Sequence, residues 1–260
     1  MPELIEIEYY RQLAEGALGR VVDSVDAPDA WFLKRGLTAR IVSDALAGRQ
    51  FVCARRIGKL LLLDMDDGAV LGLRFGMTGR LVLDDHAGVD ELQYASRRRE
   101  EAWDRFVVRF DDDGDLRIND ARRLGGVELD PDEARLGIDA ASITSAQLTS
   151  ALDHSTAPLK ARLMDQHRVA GLGNLLVDEV LWRAGLDPAR SAGSLSPAER
   201  KRLHRHLRRT VEELLASGGS HLGRLQVARV RGGRCPKEGA ELQRRTVGGR
   251  TTYSCPVHQH

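Results

Sequence analysis

The apolar residues of this chain change period near its middle, and that change limits the folds open to it. Through residue 130 they come in short runs, 51–54, 60–65, 70–75, 80–83, 106–110 and 116–119, broken by Asp-Gly and Gly-rich turns. Such runs predict the strands of a β-sandwich or barrel, with one helical pattern, 5–19, ahead of them. Beyond residue 150 the segments 157–164, 173–184 and 197–217 repeat at helical spacing, the last opening with Ser196-Pro197-Ala198-Glu199, a capping-box start. Residues 131–150, rich in Pro, Asp, Ala and Ser, read as a linker, and 224–258 holds two β-like runs around Gly248-Gly249. The expected class is α+β, divided as 2–130, a linker 131–150, a helical module 151–223 and a terminal hairpin 224–260.

Charge follows the same division. Residues 1–150 hold 20 Lys and Arg against 28 Asp and Glu, a net of −8; residues 151–260 hold 19 against 10, a net of +9. The second half therefore suits a polyanion, although a solvated face would read the same. At 42% hydrophobic and 30% charged the chain is neither disordered nor fibrous, and three cysteines (Cys53, Cys235, Cys255) make no disulfide framework. No apolar run approaches a membrane span and no secretory signal pattern opens the chain, so the expectation is a soluble, cytoplasmic protein.

Three constellations carry chemistry. The first is Met1-Pro2-Glu3-Leu4-Ile5-Glu6. With Met1 removed, Pro2 presents a secondary amine whose ordinary pKa, about 7.7 to 8.0, leaves free base near neutrality. Such an amine attacks a sugar C1′ or an aldehyde and yields a permanently cationic iminium, an electron sink. Glu3 stands beside it as acid or base, and Glu6 follows on the same helical side. A Pro and two acids also simply suit a helix start. The second is a set of glycine-flanked runs: Arg55-Arg56-Ile57-Gly58-Lys59, Phe75-Gly76-Met77-Thr78-Gly79-Arg80, Asn119-Asp120-Ala121-Arg122-Arg123-Leu124-Gly125 and Gly171-Leu172-Gly173-Asn174. The last opens a helix whose free N–H groups could receive a phosphate, and a helix-turn-helix packing motif would need the same glycines. The third is Cys235-Pro-Lys-Glu238, then 16 residues, then Cys255-Pro-Val-His258. Two x2 pairs around a hairpin have zinc-ribbon spacing, with His260 a competitor for the fourth position. The other reading is a metal-free hairpin held by packing.

Together these motifs, from Pro2 to His258 and in order, resemble the formamidopyrimidine-DNA glycosylase and endonuclease VIII family of bifunctional base-excision repair enzymes. The resemblance implies an N-terminal β-sandwich flanked by helices, a helix-two-turns-helix module and a C-terminal zinc-finger hairpin, with double-stranded damaged DNA in the cleft between the halves. It implies that Pro2 displaces the damaged base and holds the opened sugar as an iminium, that Glu3 moves protons with Glu6 in support, and that Lys59 contacts phosphate and assists strand cleavage. Met77 and Arg122 match residues that fill the space left by a flipped nucleotide, and Leu124 stands where formamidopyrimidine glycosylases usually place Phe. Lys160 and Asn174 match positions near the damaged nucleotide and its phosphates, and Arg250 matches the finger arginine that grips flanking phosphates. Cys235, Glu238, Cys255 and His258 would hold a structural Zn2+. A monomer working in the cytoplasm, on the nucleoid in a prokaryote, is implied.

The departures bear on substrate and metal. Ile5 replaces the family's usual Pro, Glu238 and His258 replace two cysteines, and the stretch 220–234 is shorter than the loop that in many formamidopyrimidine glycosylases folds over a flipped 8-oxoguanine. An endonuclease VIII-like preference for oxidised pyrimidines, a non-catalytic damage-binding homologue and a structural nucleic-acid module are the alternatives; Pro2, Glu3 and Lys59 argue against the second, and the N-terminal motif against the third.

Overall fold

The computed structural model describes residues 2–260 except 90, 94, 97 and 99. In chain order its elements are α1 (Leu4–Ala14), β1 (Val22–Asp26), α2 (Ala39–Leu46), β2 (Phe51–Ile57), β3 (Leu60–Met65), β4 (Val70–Arg74), β5 (Arg80–Leu83), β6 (His86–Ala87), β7 (Asp104–Phe110), β8 (Asp115–Asn119) and β9 (Gly126–Leu129). There follow β10 (Ile138–Asp139), α3 (Ser145–Leu152), α4 (Leu159–Met164), β11 (Val169–Ala170), α5 (Asn174–Ala184), α6 (Pro197–Ser217), β12 (Gln243–Val247) and β13 (Arg250–Ser254). The described residues form two compact units: residue 2 with 6–133, and residues 3–5 with 134–260. No helix among the described residues is long and apolar enough to cross a membrane.

The first unit is a sandwich of two antiparallel sheets, β2-β3-β4-β9 and β1-β7-β8-β5-β6. Alternation builds its core: Leu61, Leu63, Leu71 and Leu73 from one sheet join Phe106, Val108, Phe110, Leu116 and Ile118 from the other. Ile7, Tyr10 and Ala14 of α1 and Val42 and Leu46 of α2 complete it. The helix expected over 5–19 ends at Ala14, giving way to a 3-10 turn at Glu15–Ala17 and a left-handed Gly19. The elements α2, β1, β6 and β9 are additions to the sequence reading. Thr38 caps α2 by accepting from the Ile41 N–H, whereas β1 (VDSVD) carries too little apolar periodicity to be read as a strand.

The second unit holds α3 to α6, the parallel pair β10-β11 and the hairpin β12-β13. Where a linker is expected, residues 131–150 carry β10 and the start of α3. A capping box between Thr144 and Gln147 opens that helix, and its Leu148 and Leu152 are buried. Ser and Ala, which suggest a linker by composition, here belong to a short helix with a buried face. The segment 220–234 is also ordered, with 3-10 turns at Ser220–Leu222 and Gln226–Ala228.

Candidate functional site

In the second unit the Glu3 carboxylate lies at the N-terminus of α5, fully buried. One oxygen accepts from the Leu175 N–H at 2.8 Å, and the other from Gly173 and Leu176, each at 3.0 Å. A Cβ at Gly173 would stand 2.2 Å from the Glu3 carboxyl carbon, so only glycine admits the side chain. The helix terminus expected to receive a phosphate thus receives the chain's own carboxylate, for the same reason: free N–H groups and the positive end of the dipole attract an anion. These bonds hold the Glu3 carboxyl in one orientation.

In the first unit Pro2 is buried, as is Glu6 in the first turn of α1; Met1 lies outside the described residues. Lys59 is half-exposed on the two-residue turn between β2 and β3, where Gly58 takes φ +58. Beneath that turn Arg56 donates to Glu8 of α1 at 3.1 Å and to the Gly58 carbonyl at 3.0 Å.

Met77 and Arg122 occupy two neighbouring connections of this unit. Met77 is half-buried, Arg122 exposed and Leu124 51% exposed. Gly76, at φ +55, lets the two turns touch: a Cβ there would lie 2.4 Å from the Leu124 carbonyl carbon. Arg123, also left-handed, is held away by a bidentate pair with Asp29 at 2.6 and 2.7 Å. That guanidinium, against a smaller opposing effect of burial, keeps the Asp29 carboxyl below its ordinary range.

The second unit's hairpin carries Arg250, exposed, directly after Gly248-Gly249, whose φ values of +57 and +74 suit a type I′ turn. Lys160 lies beneath it. Expected near nucleotide phosphates, Lys160 is fully buried, and its ammonium donates to Asp178 at 2.6 Å, to the Thr252 hydroxyl at 2.8 Å and to the Thr251 carbonyl at 3.2 Å. With all three protons engaged it anchors the strand that bears Arg250. Asp178 also binds the buried Arg229 at 2.8 Å. Asn174, in the first turn of α5, keeps a buried Oδ1 with no hydrogen-bond partner. Sequence reasoning passed over Asp178 and Arg229, although an Asp-Glu pair inside the run 175–181 is a signal, because acids in an apolar helix require partners.

Of the four expected metal ligands the structure gathers three: donor atoms of Cys235, Cys255 and His258 lie within 4.8 Å of one another. The Glu238 carboxylate lies outside that group, 3.8 Å from His258 Nδ1. The donor set fits a zinc ion. The second imidazole nitrogen, Nε2, lies 3.0 Å from the Trp182 carbonyl, so as the N–H it leaves Nδ1 as a lone pair 3.8 Å from the Cys235 sulfur. Trp182 Nε1–H donates to that sulfur at 3.3 Å, as suits a thiolate.

Sandwich, helical module and two-cysteine hairpin, with a carboxylate from the chain's start seated on α5, define the architecture of a helix-two-turns-helix DNA glycosylase. Family models agree: residues 1–127 match the formamidopyrimidine-DNA glycosylase N-terminal domain and residues 136–224 its H2TH domain. The chain belongs to the formamidopyrimidine-DNA glycosylase family. It is 35% identical over 289 residues to that glycosylase of Paracoccus denitrificans, covering 100% of both chains, and 30% identical over 283 residues to that of Bacillus licheniformis, covering 98% of both. Among solved structures it is similar to Lactococcus lactis Fpg in complex with DNA containing N7-benzyl-Fapy-dG (TM-score 0.84) and with abasic-site DNA (0.83), each at 27% identity and 99% coverage of both chains.

Proposed function

We propose that the chain is a DNA glycosylase of base excision repair that also cleaves the strand at the site it empties, with Pro2 as nucleophile. The observation that carries this reading is the seating of Glu3 by three backbone amides in a family member whose N-terminal Pro-Glu is intact. In this reading 2–130 is the catalytic sandwich, 151–223 the DNA-binding module and 224–260 the finger, and the partner is double-stranded damaged DNA. The protein acts as a monomer where the chromosome lies, in the cytoplasm.

The free amine of Pro2 attacks C1′ of the damaged nucleotide as the glycosidic bond breaks, and the proton that the Pro2 nitrogen gives up on bonding to C1′ passes to the departing base. Glu3, with Glu6 in support, protonates the sugar ring oxygen, and the ring opens to an iminium carried by the Pro2 nitrogen. Loss of a C2′ proton expels the 3′-phosphate, a second elimination expels the 5′-phosphate, and water releases Pro2. Lys59 binds the phosphate at the lesion, and Asn174 and Arg250 bind phosphates flanking it. Met77, Arg122 and Leu124 occupy the gap in the stack, offsetting the few kcal/mol that flipping costs.

Incubation with a duplex containing Fapy-dG should release the ring-opened base and cut the strand, and borohydride should trap a covalent protein–DNA adduct. Release of base with no adduct would overturn the iminium. A preference for oxidised pyrimidines is the second reading, favoured by the fixed 220–234 segment. There Glu179 accepts from the Arg224 and Leu225 N–H groups at 3.1 and 2.8 Å, leaving no long loop to close over a purine.

Zinc, held by Cys235, Cys255, His258 and a Glu238 that turns inward, would lock the finger hairpin so that Arg250 keeps its place. Elemental analysis should find about one zinc per chain, and His258→Ala should loosen its retention. An active preparation without metal would leave the hairpin to be held by Trp182, Leu225, Leu242 and Tyr253, which pack around both cysteines.

A further inference from the structure

Met77 and Arg122 stand on connections that are distant in sequence and parallel in space. β4 pairs with β9 in one sheet and β5 with β8 in the other, so the β4–β5 and β8–β9 connections both cross between the sheets, side by side. One residue ties them. Asp120 is fully buried, and its carboxylate accepts four hydrogen bonds: from the Thr78 hydroxyl at 2.5 Å and from the Arg122, Leu124 and Gly125 N–H groups at 3.1, 2.9 and 2.9 Å. Three of these shape the Arg122 loop, and the fourth reaches across to the Met77 turn. The far side of that turn is held too, because the buried Tyr10 of α1 donates its hydroxyl to the Gly79 carbonyl at 3.0 Å and packs on Phe75 with ring centroids 4.5 Å apart. Burial, with Glu6 and Asp120 adding and Arg80 opposing, drives the Tyr10 phenol far above its ordinary pKa, so it remains a donor.

We propose that Asp120, bridged to Thr78 and backed by Tyr10, is a positioning residue that holds Met77, Arg122 and Leu124 as one preassembled wedge. Its loss then impairs extrusion of a paired lesion and spares the chemistry that follows. The physical ground is preorganisation. A wedge entering a base stack does useful work only if its own side chains need no ordering at that moment, and a loop shaped by four bonds to one buried anion is already ordered. The inference rests on the reading of Met77 and Arg122 as the wedge.

The test compares single-turnover excision of Fapy-dG from a fully paired duplex with excision of the same lesion left unpaired in a bubble. A fluorescent base analogue beside the lesion reports extrusion. Thr78→Val keeps the shape and removes only the crossing bond; it should slow paired excision on the order of tenfold and delay the fluorescence change, leaving the unpaired rate unaltered. Thr78→Ser should restore both, and Asp120→Asn, which turns an amide toward N–H donors, should show a larger paired defect. Met77→Ala identifies the outcome. If it selectively slows paired excision and Thr78→Val does not, or if Thr78→Val slows both substrates equally, the positioning role is overturned. If Met77→Ala itself shows no such selectivity, the wedge assignment falls and this inference with it.

Discussion

Replacing Pro2 by glycine should lower release of Fapy-dG by on the order of a thousandfold and sharply reduce the borohydride adduct, with binding to undamaged duplex unchanged. The argument begins with the amine. A secondary amine gives an iminium that is cationic whatever the pH, whereas the primary amine of glycine gives an imine that must bind a proton before it can draw electrons. Glycine also lacks the ring that fixes the direction of the nitrogen lone pair. Retention of Met1 should have the same effect, since it converts the amine to an amide. Glu3→Gln separates proton transfer from attack. It should cut release of an intact damaged base about a hundredfold or more, yet leave partial cleavage of an abasic duplex, whose sugar opens to an aldehyde that Pro2 can still attack. Chemical quench on the two substrates measures both. Unchanged adduct in Pro2→Gly would remove the nucleophile assignment, and equal loss on both substrates in Glu3→Gln would remove the division of labour.

Much of the scaffold was legible because strongly periodic runs were. β3, β4, β5, β7 and β8 lie in the apolar runs that predict them, and α6 starts where Ser196 and Glu199 form a capping box. The misses share a physical cause. β1 is polar because it holds its place by pairing with β7 through main-chain bonds, and α3 hides in a stretch whose composition is that of a linker. For the site, residue types were readable and partners were not. Nothing in Pro2-Glu3 says that the carboxylate's donors stand 170 residues on, and nothing near Asp120 names Thr78, 42 residues before it. Lys160 shows the converse. The family resemblance sets it near the damaged nucleotide, and no pattern around it tells of the burial and the three acceptors that make it an anchor. Long-range partners are written in the fold, and the sequence records only that a buried charge will need one.

That anchor yields an ordered pair of stability changes. Lys160, Asp178 and Arg229 form a buried set of two cations on one anion, with relative side-chain exposures of 0%, 0% and 2%. Asp178→Asn removes the carboxylate that the two cations share and should destabilise the second unit by about 3 to 5 kcal/mol, because both cations lose the anion they face. Lys160→Met should cost far less, since it leaves one anion facing one cation and fills the space with an apolar chain. Acidity sharpens the distinction. Burial holds the Lys160 ammonium below its ordinary pKa, with Asp178 the main opposing influence and Glu3 a smaller one. The unfolded chain therefore binds that proton more readily than the folded one, and stability should rise with pH from the depressed value up to about 10.4, the ordinary lysine value. The rise should begin at lower pH and be larger in total in Asp178→Asn, which lacks the group that favours the charged form, and Lys160→Met should lack this contribution. Denaturant titrations across that window read the result. A methionine variant less stable than the asparagine variant, or two parallel pH curves, would mean that the bonds from Lys160 to Thr251 and Thr252, and not its charge balance with Asp178, secure the strand that carries Arg250.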